Sequence, residues 1–470
     1  MVIENSFEGW IAVDKEYAIF SADDFIFHIF SPKPDFGEAK SLLKNFFAQN
    51  SVKGEYIQAQ ATSLHRIAFL NTFGAIDFFD PHQGISFSTP IIIKSCGNTE
   101  CFNRELTHDW ELYDAITFWG GNINTIRNPK RATIAIQEHN EKEYNTGVNT
   151  IKVKPFSEQT HRIPITIRGA RAEMVISSFS SDLENRSMRE IGYVDSSIRI
   201  SFETPRRFND VLEYFSIVKD LVALFTKHYN VRFETFLQQR TDEDLFFRTA
   251  VCKVNDGHIN YLEEFHYYVL QIDDILRKEN GSVILQNIVS MVSNNEIQHI
   301  RRLFTDNNSR RNKISINEVG FLCSALEVEC DKSLKKSEKN NWIEGLKQKI
   351  QETITIYEEE NPYRYTYDET NISSCFQYLN YTLKQRIYDL YLLHKNILDQ
   401  FVERKNLPQI CVESIGNFVK IRNKSTHEGS NMWNGGEKSY LPLFYLTYVS
   451  FFSRAGMSDE DIKELLEILF

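Results

Sequence analysis

IRISFETPRRFNDVLEYFSIVKDLVALF, residues Ile198–Phe225, changes its hydrophobic period partway through. Ile198, Ile200 and Phe202 alternate with polar residues, the two-residue repeat of a strand with one buried face. Phe208, Val211, Leu212, Phe215, Val218, Val222 and Phe225 then recur at helical spacing. Between them, Thr204-Pro205 reads as a cap followed by proline at the first helical position, which predicts a helix from about residue 205. The chain passes from β to α here, and the two sides of the junction predict different architectures.

Upstream, from Trp10 to Phe202, the pattern is mostly period two: Ile163, Ile165 and Ile167 alternate with polar residues, as do Ile151 and Val153. Short apolar runs such as Ile91-Ile92-Ile93 are bounded by Gly, Pro and Asn. This predicts a β-rich domain over 1–204, sandwich- or barrel-like. Downstream, 205–310 reads as a mixed, mainly helical connecting region with a short hairpin near Val231–Val254. It closes on the polar, basic run 305–313, a linker by composition.

From residue 311 to 470 the chain reads as an all-α bundle of four or five amphipathic helices. Ile316, Val319, Cys323, Leu326 and Cys330 form one apolar stripe; Leu379, Leu383, Ile387, Leu390, Ile397 and Phe401 form another. A third helix is expected from near Leu407. The last starts at Ser458, a capping residue, and presents Ile462, Leu465, Leu466 and Leu469 on one face. The expected fold class is therefore α+β and multidomain.

The 470 residues are 42% hydrophobic and 25% charged, ordinary for a globular protein and too apolar for disorder. A net charge of −11 argues against a protein coated in nucleic acid, though not against one local basic site. The N-terminal residues carry no signal-peptide pattern. The longest apolar-rich stretch, Tyr440–Phe452, falls short of the ~20 residues of a membrane span. Seven cysteines without a C-x-x-C pair predict buried free thiols and a cytoplasmic location. No membrane association, metal or cofactor is expected. Pro34-Asp35 with Glu38-Ala39-Lys40 has the residue types of a metal-dependent nuclease core, but two intervening residues cannot span two neighbouring strands.

One helix breaks the bundle pattern: CVESIGNFVKIRNKSTHEGS, Cys411–Ser430. Cys411, Ile415 and Phe418 form a stripe whose next position is Arg422. The adjacent stripe, Val412, Gly416 and Val419, turns polar at Asn423 and His427. A charge on a core stripe is costly unless it is paired or lines a site. Gly416 in mid-helix suggests the close approach of another backbone. Of the twelve histidines, only His427 has an arginine five to seven positions before it. Between Arg404 and Lys424 five basic residues (Arg404, Lys405, Lys420, Arg422 and Lys424) face one acid, Glu413, a local net of +4 that suits an RNA backbone.

The run Arg422-Asn423-Lys424-Ser425-Thr426-His427 resembles the R-(polar)-x-x-x-H signature of HEPN ribonucleases. The layout, a β-rich N-terminal region joined to a C-terminal helical bundle, resembles the ApeA-like group of bacterial anti-phage proteins. Leu326-Glu327 resembles a Leu-Glu pair on an early helix of that bundle, making Glu327 a supporting residue. The resemblance implies RNA cleavage without a metal, in abortive infection, with transfer RNA as a candidate substrate and a phage-encoded trigger. It assigns catalysis to Arg422, Asn423 and His427 and a sensing or regulatory role to the N-terminal domain, while the local charge makes Lys424, Lys420, Arg404 and Lys405 the candidate RNA contacts, with an ordinary solvated face the alternative for Arg404 and Lys405. Paired copies, a homodimer or a larger even assembly, are the family's usual arrangement. The alternative is a non-catalytic bundle of the same type that binds RNA or protein.

Overall fold

The computed structural model describes the chain except residues 1–2, 4, 14–15, 32, 34, 36, 40, 43–55, 64, 71–76, 80–83, 97–108, 129–159, 181–193, 229–230, 242–244, 256–268, 305–313, 335–337, 361–381 and 429–435, and except the side chains of 77–79, 84–85, 179–180, 194, 338–342, 358, 424–428 and 436–437. The Ile151–Val153 alternation, the 305–313 run, Lys40, Cys101 and Leu379 therefore lie outside the described residues. Two compact units are present, 1–295 and 296–470.

The first unit is built on fourteen strands: β1 Ser6–Val13, β2 Glu16–Asp23, β3 Ile26–Phe30, β4 Tyr56–Ala61, β5 Arg66–Leu70, β6 Asp77–Phe79, β7 Gly84–Ser88, β8 Ile91–Ser95, β9 Leu112–Trp119, β10 His161–Ile167, β11 Ala170–Ser180, β12 Val194–Arg207, β13 Glu234–Arg240 and β14 Phe246–Val254. All belong to one antiparallel sheet in the order β10-β11-β12-β9-β13-β14-β8-β5-β4-β1-β2-β3-β7-β6. Segment 84–95 pairs through β7 with β3 and through β8 with β5, and so closes the strands between them into a roll. Phe27 on β3 and Phe69 on β5 are four strand spacings apart in the order, about 19 Å if the sheet were flat. Their ring centroids lie 4.4 Å apart, because both point into the core of the roll.

The β9–β12 part carries an apolar face of Ile116, Phe118, Ile163, Ile165, Met174, Ile176, Ile198 and Ile200, all buried. Helices of this unit include α1 Asn122–Ile126, α2 Val211–Thr226, α3 Ile272–Leu276 and α4 Gly281–Ser293; α2 packs on β9 and α4 on β10. The junction differs from the expected helix start at Thr204-Pro205. β12 continues to Arg207, Phe208–Asp210 form a single 3-10 turn, and the helix begins at Val211. The pairing of β12 with β9 slips between Ser201 and Arg206, and Pro205 falls inside that bulge, where no ladder bond requires its missing N–H. The expected hairpin in the connecting region is β13–β14, and both strands belong to the large sheet.

The second unit is helical: α5 Gln298–Arg301, α6 Ile316–Ser333, α7 Glu338–Glu360, α8 Leu383–Arg404, α9 Val412–Glu428, α10 Tyr440–Arg454 and α11 Asp459–Leu469. Helices α6, α8, α9 and α10 pack around one core, and α11 lies against α8 and α10. Local capping sets the starts. Ser315 and Glu318 form a capping box on α6, Thr382 and Gln385 another on α8, and the Ser458 side chain accepts from the Asp461 N–H at 3.2 Å. Val319, Cys323, Leu326 and Cys330 are buried on α6, as are Ile462, Leu465, Leu466 and Leu469 on α11. Among the described residues, no helix is long and apolar enough to cross a membrane.

Candidate functional site

Helix α9 starts at a cap that its sequence disguises as core. Cys411 is exposed, not the first residue of a buried stripe. Its N–H donates to Ser414 Oγ at 2.9 Å, and the Ser414 N–H donates back to its Sγ at 3.4 Å. These bonds from Ser414 hold the thiol below its ordinary pKa. Val412 is exposed too, so the second stripe read in the sequence is not a core face. The buried face is Ile415, Phe418 and Ile421, with the Phe418 ring 6.5 Å from Tyr440 at the start of α10.

Arg422 follows at the edge of that face and is half-buried, whereas Asn423 and Lys420 are exposed. The Arg422 charge acts on Cys323 of α6. Burial pushes that thiol up to about 12, with Arg422 opposing and Glu327 reinforcing the rise. Glu327 is partly exposed; Arg386 of α8 lies 3.9 Å from its carboxylate, donates to its carbonyl at 3.2 Å, and also pairs with Asp331. The charges of Arg422 and Glu327 thus act in opposite senses on one buried cysteine. The helical backbone runs unbroken to Glu428, so Lys424 and His427 belong to α9; their side chains lie outside the described residues.

The other expected cations are elsewhere. Arg404 and Lys405 lie 3.0 and 3.8 Å from Glu467 of α11, and Arg404 lines a depression with Glu403, Glu464 and Glu467. Lys384, near the start of α8, lies over Gly416. Twenty residues of helix separate it from Arg404, about 30 Å at 1.5 Å per residue. The run that looked contiguous is divided between two ends of the bundle.

Gly416 has a different explanation from the one its sequence suggested. A Cβ there would meet Lys384 Cε at 3.2 Å and its Cδ and Nζ at 3.3 Å, a flexible side chain rather than a backbone. Gly416→Ala is therefore expected to raise stability by about 0.5–1 kcal/mol, the usual helix gain over glycine, as Lys384 swings aside. A shift of the urea midpoint to higher concentration at unchanged m checks this; a lower midpoint means the crowding is rigid.

Sequence reasoning missed the most buried carboxylate of the unit. Glu329 of α6 has no solvent exposure. His299 Nε2 lies 2.7 Å from its Oε1, Ser450 Oγ donates to its Oε2 at 2.7 Å, and Arg454 donates to both oxygens at 2.8 and 3.1 Å. Arg454 also reaches Glu296 at 3.1 Å, which Lys332 meets at 3.0 Å. The available signal was the one that singled out Arg422: Glu329 continues the spacing Leu322, Leu326. Its satisfied bonds make it an anchor holding α5, α6 and α10 together.

Asp35 accepts from the Glu38 N–H at 3.0 Å and caps a short turn, so the nuclease-like acidic pair has a local structural role. Among the described residues, no group of three or more His, Cys, Asp or Glu is placed to hold a metal ion. No protein-family model, curated protein or solved structure matches the chain.

Proposed function

We propose that the chain is a metal-independent RNA endonuclease of the HEPN type, acting in bacterial anti-phage defence by abortive infection. The observation that carries this reading is the run Arg422–His427 on one uninterrupted helix, with Arg422 half-buried at the core edge of a helical unit. In this reading the RNA 2′-OH attacks the adjacent phosphate, leaving a cyclic phosphate and a 5′-OH. His427 moves the proton, since imidazole titrates near neutrality and the end of α9 favours its charged form. Arg422 binds the phosphate oxygens with its planar fork as their charge grows. Asn423, exposed beside it, orients the phosphate, while Lys420 and Lys424 attract the backbone.

Five residues of helix turn about 500°, leaving Arg422 and His427 ~140° apart. One helix does not aim both at a single phosphate, so two copies complete one cleft, and the working form is a homodimer or a larger even assembly. The β-rich unit then restrains the nuclease until a phage-encoded trigger is sensed, and transfer RNA is the proposed substrate.

On induced expression with the trigger, wild type is expected to fragment RNA and His427→Ala to leave it intact, with wild-type cleavage persisting in EDTA. Intact RNA in both strains sinks the nuclease reading and leaves the unit as a binding module. Light scattering that finds an active monomer removes the two-copy site.

A further inference from the structure

Helix α7, Glu338–Glu360, is the longest described helix of the second unit, about 35 Å at 1.5 Å per residue. None of its described side chains is buried, and among the described residues it belongs to none of the principal packed helix pairs. A Cβ on Gly345 would meet nothing within 4 Å. Its sequence nevertheless carries a packing stripe. Ile343, Leu346, Ile350, Ile354 and Tyr357 recur at steps of three, four, four and three, within an arc of about 80° at 3.6 residues per turn. The first four are half-buried, whereas Tyr357 and the nearby Ile356 are exposed. The corresponding stripes of α6 and α11 are buried.

A helix of this composition is weak on its own. Gly345 lies in its interior, and Ile343, Ile350, Thr353, Ile354, Thr355 and Ile356 are β-branched. Thr353 and Thr355 donate back to the carbonyls of Lys349 and Gln351 at 2.8 and 3.0 Å, a pattern that slightly destabilises a helix. Glu359 and Glu360 stand at its negative end, where cations are favoured, and its last turn holds no basic residue. Such helices are held by packing of their apolar face. The described core of this unit does not supply that packing.

The charges of α7 say what does. Its first half, with Glu338, Lys339, Glu344, Lys347 and Lys349, carries a net +1; its second, with Glu352, Glu358, Glu359 and Glu360, a net −4. Lys347 pairs with Glu344 on the same helix at 2.8 Å, and no Lys or Arg follows Lys349 before the helix ends. An anionic lipid surface or an RNA strand is repelled by this balance. Two parallel copies would set the two −4 halves and the two negative helix ends side by side. Two antiparallel copies instead lay each −4 half along the lysine-bearing half of the other, against its positive N-terminus.

We propose that α7 is a pairing arm whose occupant is the α7 of a second copy, laid antiparallel. Centred on Ile350, the midpoint of the stripe, the pair sets Ile343 of each copy beside Tyr357 of the other and Leu346 beside Ile354. Lys339 then falls near Glu359 and Glu360 of the other copy. The contact is twofold and self-complementary, so it closes at two chains. It does not rest on the nuclease reading, which joins copies at the α9 cleft.

Sedimentation equilibrium of the full chain over a concentration series reads the association. Carbodiimide coupling of mixed light- and heavy-isotope chains, followed by mass spectrometry, reads its direction. Wild type is expected to self-associate and to couple Lys339 of one isotope to Glu359 or Glu360 of the other. Within one helix, or between parallel copies, these positions are about 30 Å apart. Ile350→Glu places two carboxylates at the centre of the seam and is expected to weaken association at least tenfold. Gly345→Ala, on the side of the helix away from the stripe, favours the helix in advance and is expected to tighten association about fivefold; it keeps the test open should Ile350→Glu misfold. RNA cleavage by the same samples is a separate readout, which distinguishes failure of the arm from failure of the nuclease reading. A wild type that is monomeric at every concentration, association unchanged in both variants, or no coupling of Lys339 to Glu359 or Glu360 between isotopes overturns the proposal.

Discussion

Glu329→Ala is expected to destabilise the helical unit by about 3–5 kcal/mol, the usual cost of removing one partner from a buried ion cluster. The change strands Arg454, which spans two carboxylates, and leaves His299 and Ser450 without their acceptor. Glu329→Gln keeps the shape and part of the bonding, and a smaller loss is expected. Faster hydrogen exchange in α6 and α10, with exchange in the sheet unchanged, places the loss in this unit. Unfolding transitions within about 1 kcal/mol of wild type in both variants reject the anchor role.

The same cluster predicts an acid limb. Burial alone would raise the Glu329 pKa, but the bonds from His299, Arg454 and Ser450 prevail and hold it at about 2, against the ordinary 4.5. A carboxylate with a lower pKa folded than unfolded contributes fully above about 4.5. That contribution is lost as pH falls toward 2, and amounts to about 3 kcal/mol. His394 acts in the same direction at higher pH: burial lowers its pKa, so stability begins to fall as pH drops below the ordinary imidazole value of 6.5. Glu329→Gln should therefore flatten the stability curve below pH 4.5 and leave the histidine limb in place.

What was legible in the sequence was what local chemistry decides. Ser458 and the four apolar residues of α11 needed only a cap and a helical period, and the α6 stripe was readable in the same way. The β12–α2 junction was misread because Pro205 sits in a bulge that exists only opposite β9, some ninety residues upstream. A sandwich- or barrel-like domain was expected, but the strand that closes the roll was not legible, because one bent segment pairs with both β3 and β5. Arg422 could be singled out, since a charge on a core stripe is conspicuous. Counting charges along the chain did not reveal that the fold carries Arg404 and Lys405 away to Glu467. Glu329 shares the conspicuous spacing of Arg422, but its partners His299 and Arg454 lie 30 and 125 residues away.

In the nuclease reading proposed above, Arg422→Ala is expected to lower RNA cleavage by roughly 10²–10³-fold, the usual loss when one donor to a developing oxyanion is removed. The fold should tolerate it: Arg422 is half-buried at the edge of Ile415, Phe418 and Ile421, and the apolar contacts of those residues do not depend on its charge. Arg422→Lys restores the charge without the two-point fork, so recovery should be partial. A positioning role would let lysine and alanine behave alike, and a purely structural one would lower the melting temperature in step with activity. The two-copy site makes a stronger demand. Chains carrying Arg422→Ala contribute an intact His427, and chains carrying His427→Ala contribute an intact Arg422. Co-expressed, about half of randomly paired dimers hold one of each in the shared cleft, and these should cleave RNA although neither variant does alone. If the mixture stays as inactive as its components, each cleft needs both groups from one chain or both copies of each, and the composite arrangement proposed for Arg422 and His427 is wrong.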